Sequence, residues 1–147
     1  MTSMLKEIIG NLTIQIQGCN AAVDVENLPI CYADSALVNQ VFTNLLVNSI
    51  KYGKEGGTTK VSFYDMETEI LTEVSDNGIG IDEKHLKHVF DRFYRVDASR
   101  SRKQGGSGLG LSIVKHIIEA HDQTINVRST SEIGSTFGFT LKKAANR

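Results

Sequence analysis

The sequence predicts an α+β fold, a two-layer α/β sandwich in which a mixed, mainly antiparallel sheet packs on helices. Apolar residues recur at helical spacing in some segments and alternate in others, so both kinds of element are present. The elements follow in mixed order, not as strict β-α-β-α units, and neighbouring strands are joined by short turns. That order favours an antiparallel sheet with its helices gathered on one face.

Leu5, Ile8, Ile9, Leu12 and Ile16 place a first helix over 3–17. Weak alternation marks a strand over 21–26, and 30–33 is a short extended piece after Pro29. Asp34 or Ser35 caps a long helix over 35–52, with Leu37, Val38, Val41, Phe42, Leu45, Leu46 and Ser49 as its core face. A glycine-rich turn over 53–57 leads to strands at 59–65 and 69–75. Asp82 caps a helix carrying Leu86, Val89, Phe90 and Phe93. The stretch 94–107 is long, polar and basic, and it reads as a lid-like loop. A helix over 109–121 and strands at 124–128 and 135–141 complete the chain.

Its 147 residues suit a single domain, 1–147. A hydrophobic fraction of 40% and a charged fraction of 22% are those of a water-soluble globular chain. A formal net charge of −1 argues against a nucleic-acid binder, which must neutralise many phosphates. Cys19 and Cys31 form no CxxC pair and suit a reducing compartment, so the expected location is cytoplasmic. No apolar run approaches membrane-spanning length.

Three segments carry chemistry. On the long helix, Gln40, Asn44, Asn48 and Lys51 form a polar stripe beside the apolar face. A half-buried Asn48 carbonyl suits a hard cation such as magnesium, and Lys51 suits a phosphate. A merely solvated stripe would look the same. Asp76-Asn77-Gly78-Ile79-Gly80 follows a strand, where a carboxylate can accept from an exocyclic amine and glycines permit tight turns and close approach to a ligand. An ordinary turn would also fit. Gly105-Gly106-Ser107-Gly108-Leu109-Gly110 opens a helix, where bare backbone N–H groups bind phosphate. It is not a P-loop, because Leu111 stands where Lys is needed. Arg92 precedes the lid-like loop and Arg95, Arg100, Arg102 and Lys103 lie in it, where such residues either close over phosphates or, for most of them, keep the loop soluble.

Taken in order, these segments resemble the ATP-binding catalytic domain of two-component sensor histidine kinases. That family shares the Bergerat-type fold of the gyrase, heat-shock chaperone and mismatch-repair ATPases. Asn44-Leu-Leu-Val-Asn48-Ser-Ile-Lys51-Tyr52 looks like the N box, and Asp76–Gly80 like the first glycine box. Phe90-Asp-Arg-Phe-Tyr-Arg95 looks like the F box, and Gly106-Ser-Gly108-Leu-Gly110 like the second glycine box. The resemblance covers about residues 33–141.

It implies ATP and Mg2+ as cofactors. Asn48 would hold magnesium with Asn44 beside it, Lys51 would contact phosphate, and Tyr52 would pack along the base. Asp76 would bond the adenine amine, with Gly78 and Gly80 shaping that pocket. Arg95 would reach the γ-phosphate. Gly106, Ser107, Gly108, Leu109 and Gly110 would cradle phosphates, and 94–107 would be the ATP lid. It implies as partners a helical dimerisation and phosphoacceptor domain and a downstream response regulator. The parent kinase would be either free or anchored in the inner membrane.

The four histidines do not match the family's phosphoacceptor. His85 and His88, on the helix after Asp82, could be half a metal site, but no third ligand is evident and they read as a solvated pair. His121-Asp122 mimics the acceptor dipeptide but falls at a helix end, where Asp122 tolerates a left-handed cap. Two other readings stay open. A serine kinase of the same superfamily would phosphorylate a serine partner, and a degenerate docking module would bind nucleotide without transferring phosphate.

Overall fold

The computed structural model describes residues 10, 22–25, 31–54, 56–94 and 109–143. The helix expected over 3–17 lies outside these apart from Gly10, as do the expected site residues Arg95, Gly106, Ser107 and Gly108. The described elements are β1 (Ala22–Val25), β2 (Cys31–Tyr32), α1 (Ser35–Lys51), β3 (Thr58–Met66) and β4 (Glu69–Asp76). They continue with α2 (Glu83–Leu86), α3 (Gly110–Ala120), β5 (Ile125–Thr130) and β6 (Gly134–Lys143).

Among the described residues, six strands form one sheet in which β1, β3, β4 and β6 are successive neighbours. β5 and then β2 pair along the far edge of β6. Among the described pairings, β1 with β3 is parallel and the others are antiparallel. The expected sandwich is therefore present, with a mixed and mainly antiparallel sheet. Alternation along β4 turns Ile70, Thr72 and Val74 into the core. Phe137, Phe139 and Leu141 do the same on β6. α1 and α3 cover that face through Val41, Phe42, Leu45, Val114 and Ile118, and Phe42 meets Phe139 edge to face at 5.5 Å.

α1 starts where Asp34 accepts hydrogen bonds from the N–H groups of Ala36 (3.0 Å) and Leu37 (3.1 Å). It stops before Gly53, where a Cβ would lie 2.8 Å from the Ser49 carbonyl oxygen. Its expected core face needs two corrections. Leu37 is 38% exposed, because on the helix wheel it falls on the flank of Asn44 and Asn48. Ile50, outside the expected face, is buried.

The helix expected after Asp82 is also shorter than its apolar spacing suggests. α2 covers four residues, and the chain continues in turns of the i→i+3 kind: His88 N–H donates to His85, Asp91 to His88, and Tyr94 to Asp91. The tighter winding still buries Val89 and half-buries Phe90. At the end of α3, Asp122 takes φ 57°, the left-handed conformation that its residue type tolerates. His121 joins the two covering helices: Nδ1–H donates to the Ile117 carbonyl (2.8 Å) and Nε2 accepts from the Asp34 N–H (3.2 Å).

Thr72 is fully buried, lies opposite Phe63 and Phe139, and its hydroxyl has no hydrogen-bonding partner among the described residues. A buried hydroxyl without a partner costs about 1–3 kcal/mol. Thr72→Val keeps the shape and removes that cost. The expected result is a gain of ~1 kcal/mol, seen as a higher urea midpoint at unchanged slope. A lower midpoint would mean that the hydroxyl has a partner in solution.

Candidate nucleotide site

The site is built around the last residue of β4. Asp76 Oδ1 accepts from the Gly78 N–H (2.9 Å), and Oδ2 accepts from Ser49 Oγ (3.2 Å), one turn from the end of α1. The Ser135 N–H at the start of β6 is a third donor. Burial pushes the Asp76 carboxyl above the ordinary carboxylate range, and the bonds from Gly78, Ser49 and Ser135 pull it back only in part. A carboxylate in this setting is a strong acceptor with room for one more donor. A small cleft opens on it, lined also by Ser49, Ile50, Gly53, Thr59 and Asn77. Asn77 is occupied in holding the loop, since its Oδ1 accepts from the Thr58 N–H at 2.8 Å.

The glycines beside Asp76 answer to backbone crowding. A Cβ on Gly78 would lie 2.5 Å from the Tyr52 carbonyl oxygen. Gly80 has φ +70°, and a Cβ there would stand 2.1 Å from the Thr130 carbonyl oxygen. The expected close approach at Gly80 is therefore to the β5–β6 hairpin. Two further contacts brace the loop on that hairpin, and a third holds the hairpin together. Glu132 N–H donates to the Ile79 carbonyl (2.7 Å), and Ser129 Oγ accepts from the Ile81 N–H (2.7 Å) and donates to the Gly134 carbonyl (2.9 Å). On the other side, Ile79 N–H donates to the Tyr52 carbonyl (3.2 Å). Tyr52 and Lys51 thus flank the Asp76 loop, with Lys51 Nζ 5.5 Å from the centre of the Tyr52 ring.

One turn back along α1, Asn48 is half-buried, and Asn44 Nδ2 reaches the Gly110 carbonyl at the start of α3 (3.4 Å). This contact brings the N box against the second glycine box. Leu109, the residue before α3, is also half-buried, and its carbonyl accepts from Ile113 N–H (2.9 Å) and Ser112 Oγ (2.8 Å). Among the described residues, no three His, Cys, Asp or Glu side chains gather as a metal site. The available donor is instead the Asn48 amide oxygen beside Lys51. A single protein oxygen fits magnesium, which keeps most of its waters and takes phosphate oxygens.

In the F box, Phe90 packs edge-on against Phe137 at 6.1 Å, and Arg92 lies over Phe93 at 5.6 Å. The solvated reading of His85 and His88 holds only in part: the His88 side chain is 44% exposed, but both rings have partners. His85 Nδ1 bonds the Tyr94 hydroxyl, and the two imidazoles lie 5.8 and 5.2 Å from the Tyr94 ring. His88 Nδ1 also meets Asp91 Oδ2 at 2.9 Å.

Sequence reasoning did not single out three contributors. Ser49 was expected only in the core, although a serine among Leu45, Leu46 and Ile50 is itself a signal. Gly134, with φ +150°, lies so close to Asp76 that a Cβ would be 2.1 Å from its carbonyl oxygen. Ser129 alternates with exposed neighbours and carries no pattern that marks it.

A family model described as histidine kinase-, DNA gyrase B- and HSP90-like ATPase matches residues 33–145. The chain belongs to this ATPase family. It is 44% identical over 110 residues to the sensor histidine kinase WalK of Bacillus subtilis, a match covering 74% of this chain and 18% of WalK. The chain therefore spans only a small part of that relative. The solved catalytic domain of histidine kinase ThkA superposes with a TM-score of 0.81 at 26% identity, covering 97% of this chain and 92% of that one. A structure of ThkA in complex with the response regulator protein TrrA superposes with a TM-score of 0.76 at 26% identity, covering 98% of this chain and 40% of that one.

The chain is an ATPase domain of the kind carried by sensor histidine kinases, and family membership implies ATP binding. No described helix is long and apolar enough to cross a membrane.

The raised Asp76 carboxyl gives opposite pH trends for stability and for binding. It holds its proton more tightly in the fold than in the unfolded chain, so its favourable contribution is full below the unfolded value. That contribution is lost as pH rises through the folded value. An amine donor needs the ionised carboxylate, so affinity for an adenine nucleotide should fall on acidification, starting above the ordinary carboxylate range. Calorimetric titrations stepped downward from neutral pH measure this directly. At neutral pH, Asp76→Asn should melt no lower than the wild type while losing nucleotide affinity.

Proposed function

We propose that this chain is the ATP-binding catalytic domain of a sensor histidine kinase. It presents Mg-ATP so that a histidine on a separate helical dimerisation domain can take the γ-phosphoryl group. The group then passes to an aspartate of a response regulator. The observation that carries this reading is the Asp76 carboxylate, half-buried at a strand end among three donors and opening on a small cleft at the end of α1. The family match supports ATP as the ligand, and the ThkA–TrrA complex supports a response regulator as the downstream partner.

In this reading Asp76 accepts from the adenine amine, and Gly78 and Gly80 shape the loop around the base, with Tyr52 along it. Lys51 meets phosphate as a point charge. Asn48 holds magnesium, with Asn44 beside it joining α1 to the phosphate loop. Gly106, Ser107, Gly108, Leu109 and Gly110 supply backbone N–H groups to phosphates. Arg95 reaches the γ-phosphate, and 94–107 forms the lid over the nucleotide within a single domain. A magnesium ion held by Asn48 would supply neutralisation of phosphate charge. The chain's own work is positioning: an acceptor imidazole nitrogen attacks the γ-phosphorus in line, and ADP leaves.

Titrating a non-hydrolysable ATP analogue by calorimetry, with and without magnesium, tests the pocket. The wild type should bind more tightly with magnesium. Asp76→Asn should weaken binding by about 10–100-fold, the scale of one hydrogen bond to a charged group. Asn48→Ala should abolish the magnesium effect. With a sensor-kinase acceptor domain supplied in trans, labelled ATP should then yield acid-labile phosphohistidine. Absence of analogue binding with magnesium present would sink the proposal.

A further inference from the structure

We propose that Ser49 is a specificity-determining residue for the purine. Its hydroxyl holds Asp76 as an acceptor, so the pocket favours a 6-amino over a 6-oxo base. The inference rests on the reading above, in which Asp76 meets the adenine amine.

Ser49 is 2% exposed and sits on an otherwise apolar face between buried Leu46 and Ile50. A serine or threonine hydroxyl inside a helix ordinarily returns its proton to the carbonyl four residues back. Thr43 in the same helix does so, donating to Asn39 at 2.8 Å. Ser49 instead donates across to β4, to Asp76 Oδ2 at 3.2 Å. Its hydroxyl is therefore directed at the group proposed to read the base.

The polarity of that bond sets the preference. With Ser49 on Oδ2, Gly78 on Oδ1 and the Ser135 N–H nearby, the carboxyl group is met by donors. Each donor stabilises the ionised form, which has only acceptor lone pairs to offer the cleft. A 6-amino group completes the set. A 6-oxo group would place lone pair against lone pair, and it fits only if the carboxyl takes up a proton. Removing the Ser49 hydroxyl removes one of the bonds that oppose protonation. The variant should then bind the amino base less well and reject the oxo base less strongly.

The test compares the diphosphates of adenosine, inosine and purine riboside, which has hydrogen at C6, with magnesium present. Calorimetry is run on the wild type, Ser49→Ala and Asp76→Asn. Ser49→Ala should weaken the adenosine form about tenfold, the effect of losing one hydrogen bond to a charged group. It should leave the purine riboside form within about twofold and narrow the preference for adenosine over inosine. A loss of equal size for all three ligands, or no loss for any, would overturn the proposal and leave Ser49 a packing residue. If Asp76→Asn weakens adenosine binding as expected in that case, the nucleotide-site reading stands without it. If the wild type binds none of the three, both readings fall.

Discussion

A carboxylate set below the surface at the end of a strand is unfavourable unless donors surround it, and the layout of this domain follows from meeting that need at Asp76. The three donors come from three places in the chain: the last turn of α1, the loop after β4 and the first residues of β6. α1 must therefore run far enough for Ser49 to reach β4. β6 must pair with β4 in the register that sets Ser135 opposite Asp76. The same pairing brings Gly134 against the Asp76 carbonyl, where a side chain has no room. One half-buried charge thus couples a helix length, a strand register and a glycine.

The two halves of the proposed nucleotide site, one for the base and one for the phosphates, are held in different ways. The base side is braced by backbone: Ile79 is tied to Tyr52 and to Glu132, and Gly80 lies against Thr130. Backbone contacts leave few soft degrees of freedom, which suits a pocket that must present one carboxylate in one direction. The phosphate side has a side-chain link, from Asn44 to Gly110 at the start of α3. α1 spans both halves, so Asn44, Asn48 and Lys51 are fixed relative to Asp76 by a single rigid element.

The fold was legible in the sequence wherever periodicity governs burial. α1, β3, β4 and β6 fall within a residue or two of their expected limits, because each buries one face against the same core. α2 was overestimated because Leu86, Val89, Phe90 and Phe93 suit a helix, whereas the chain winds into i→i+3 turns. Phe93 takes φ 66° and is 64% exposed. In the site, Asp76 and Gly78 were legible as a motif. Gly80 was legible as a glycine but not as a hairpin contact, since Thr130 lies fifty residues away in sequence. Long-range polar contacts leave no local pattern, and the Ser49–Asp76 bond is of that kind.

The histidines complete the division of labour that the proposed reading requires. A phosphoacceptor must offer a ring nitrogen to an in-line attack. His121 has both nitrogens engaged between α3 and Asp34. His85 and His88 are held by Tyr94 and Asp91, at the point where the chain leaves the F box. His116 is exposed on α3 but stands between Lys115 and Ile117, without the acidic neighbour expected after an acceptor. Three of the four rings thus tie elements or turns together, and none is matched to the transfer. A domain with its imidazoles committed in this way is suited to hold the phosphoryl donor and to leave the accepting nitrogen to a partner domain. The acceptor can then approach the γ-phosphate from outside, and the Asp76 pocket need not rearrange to admit it.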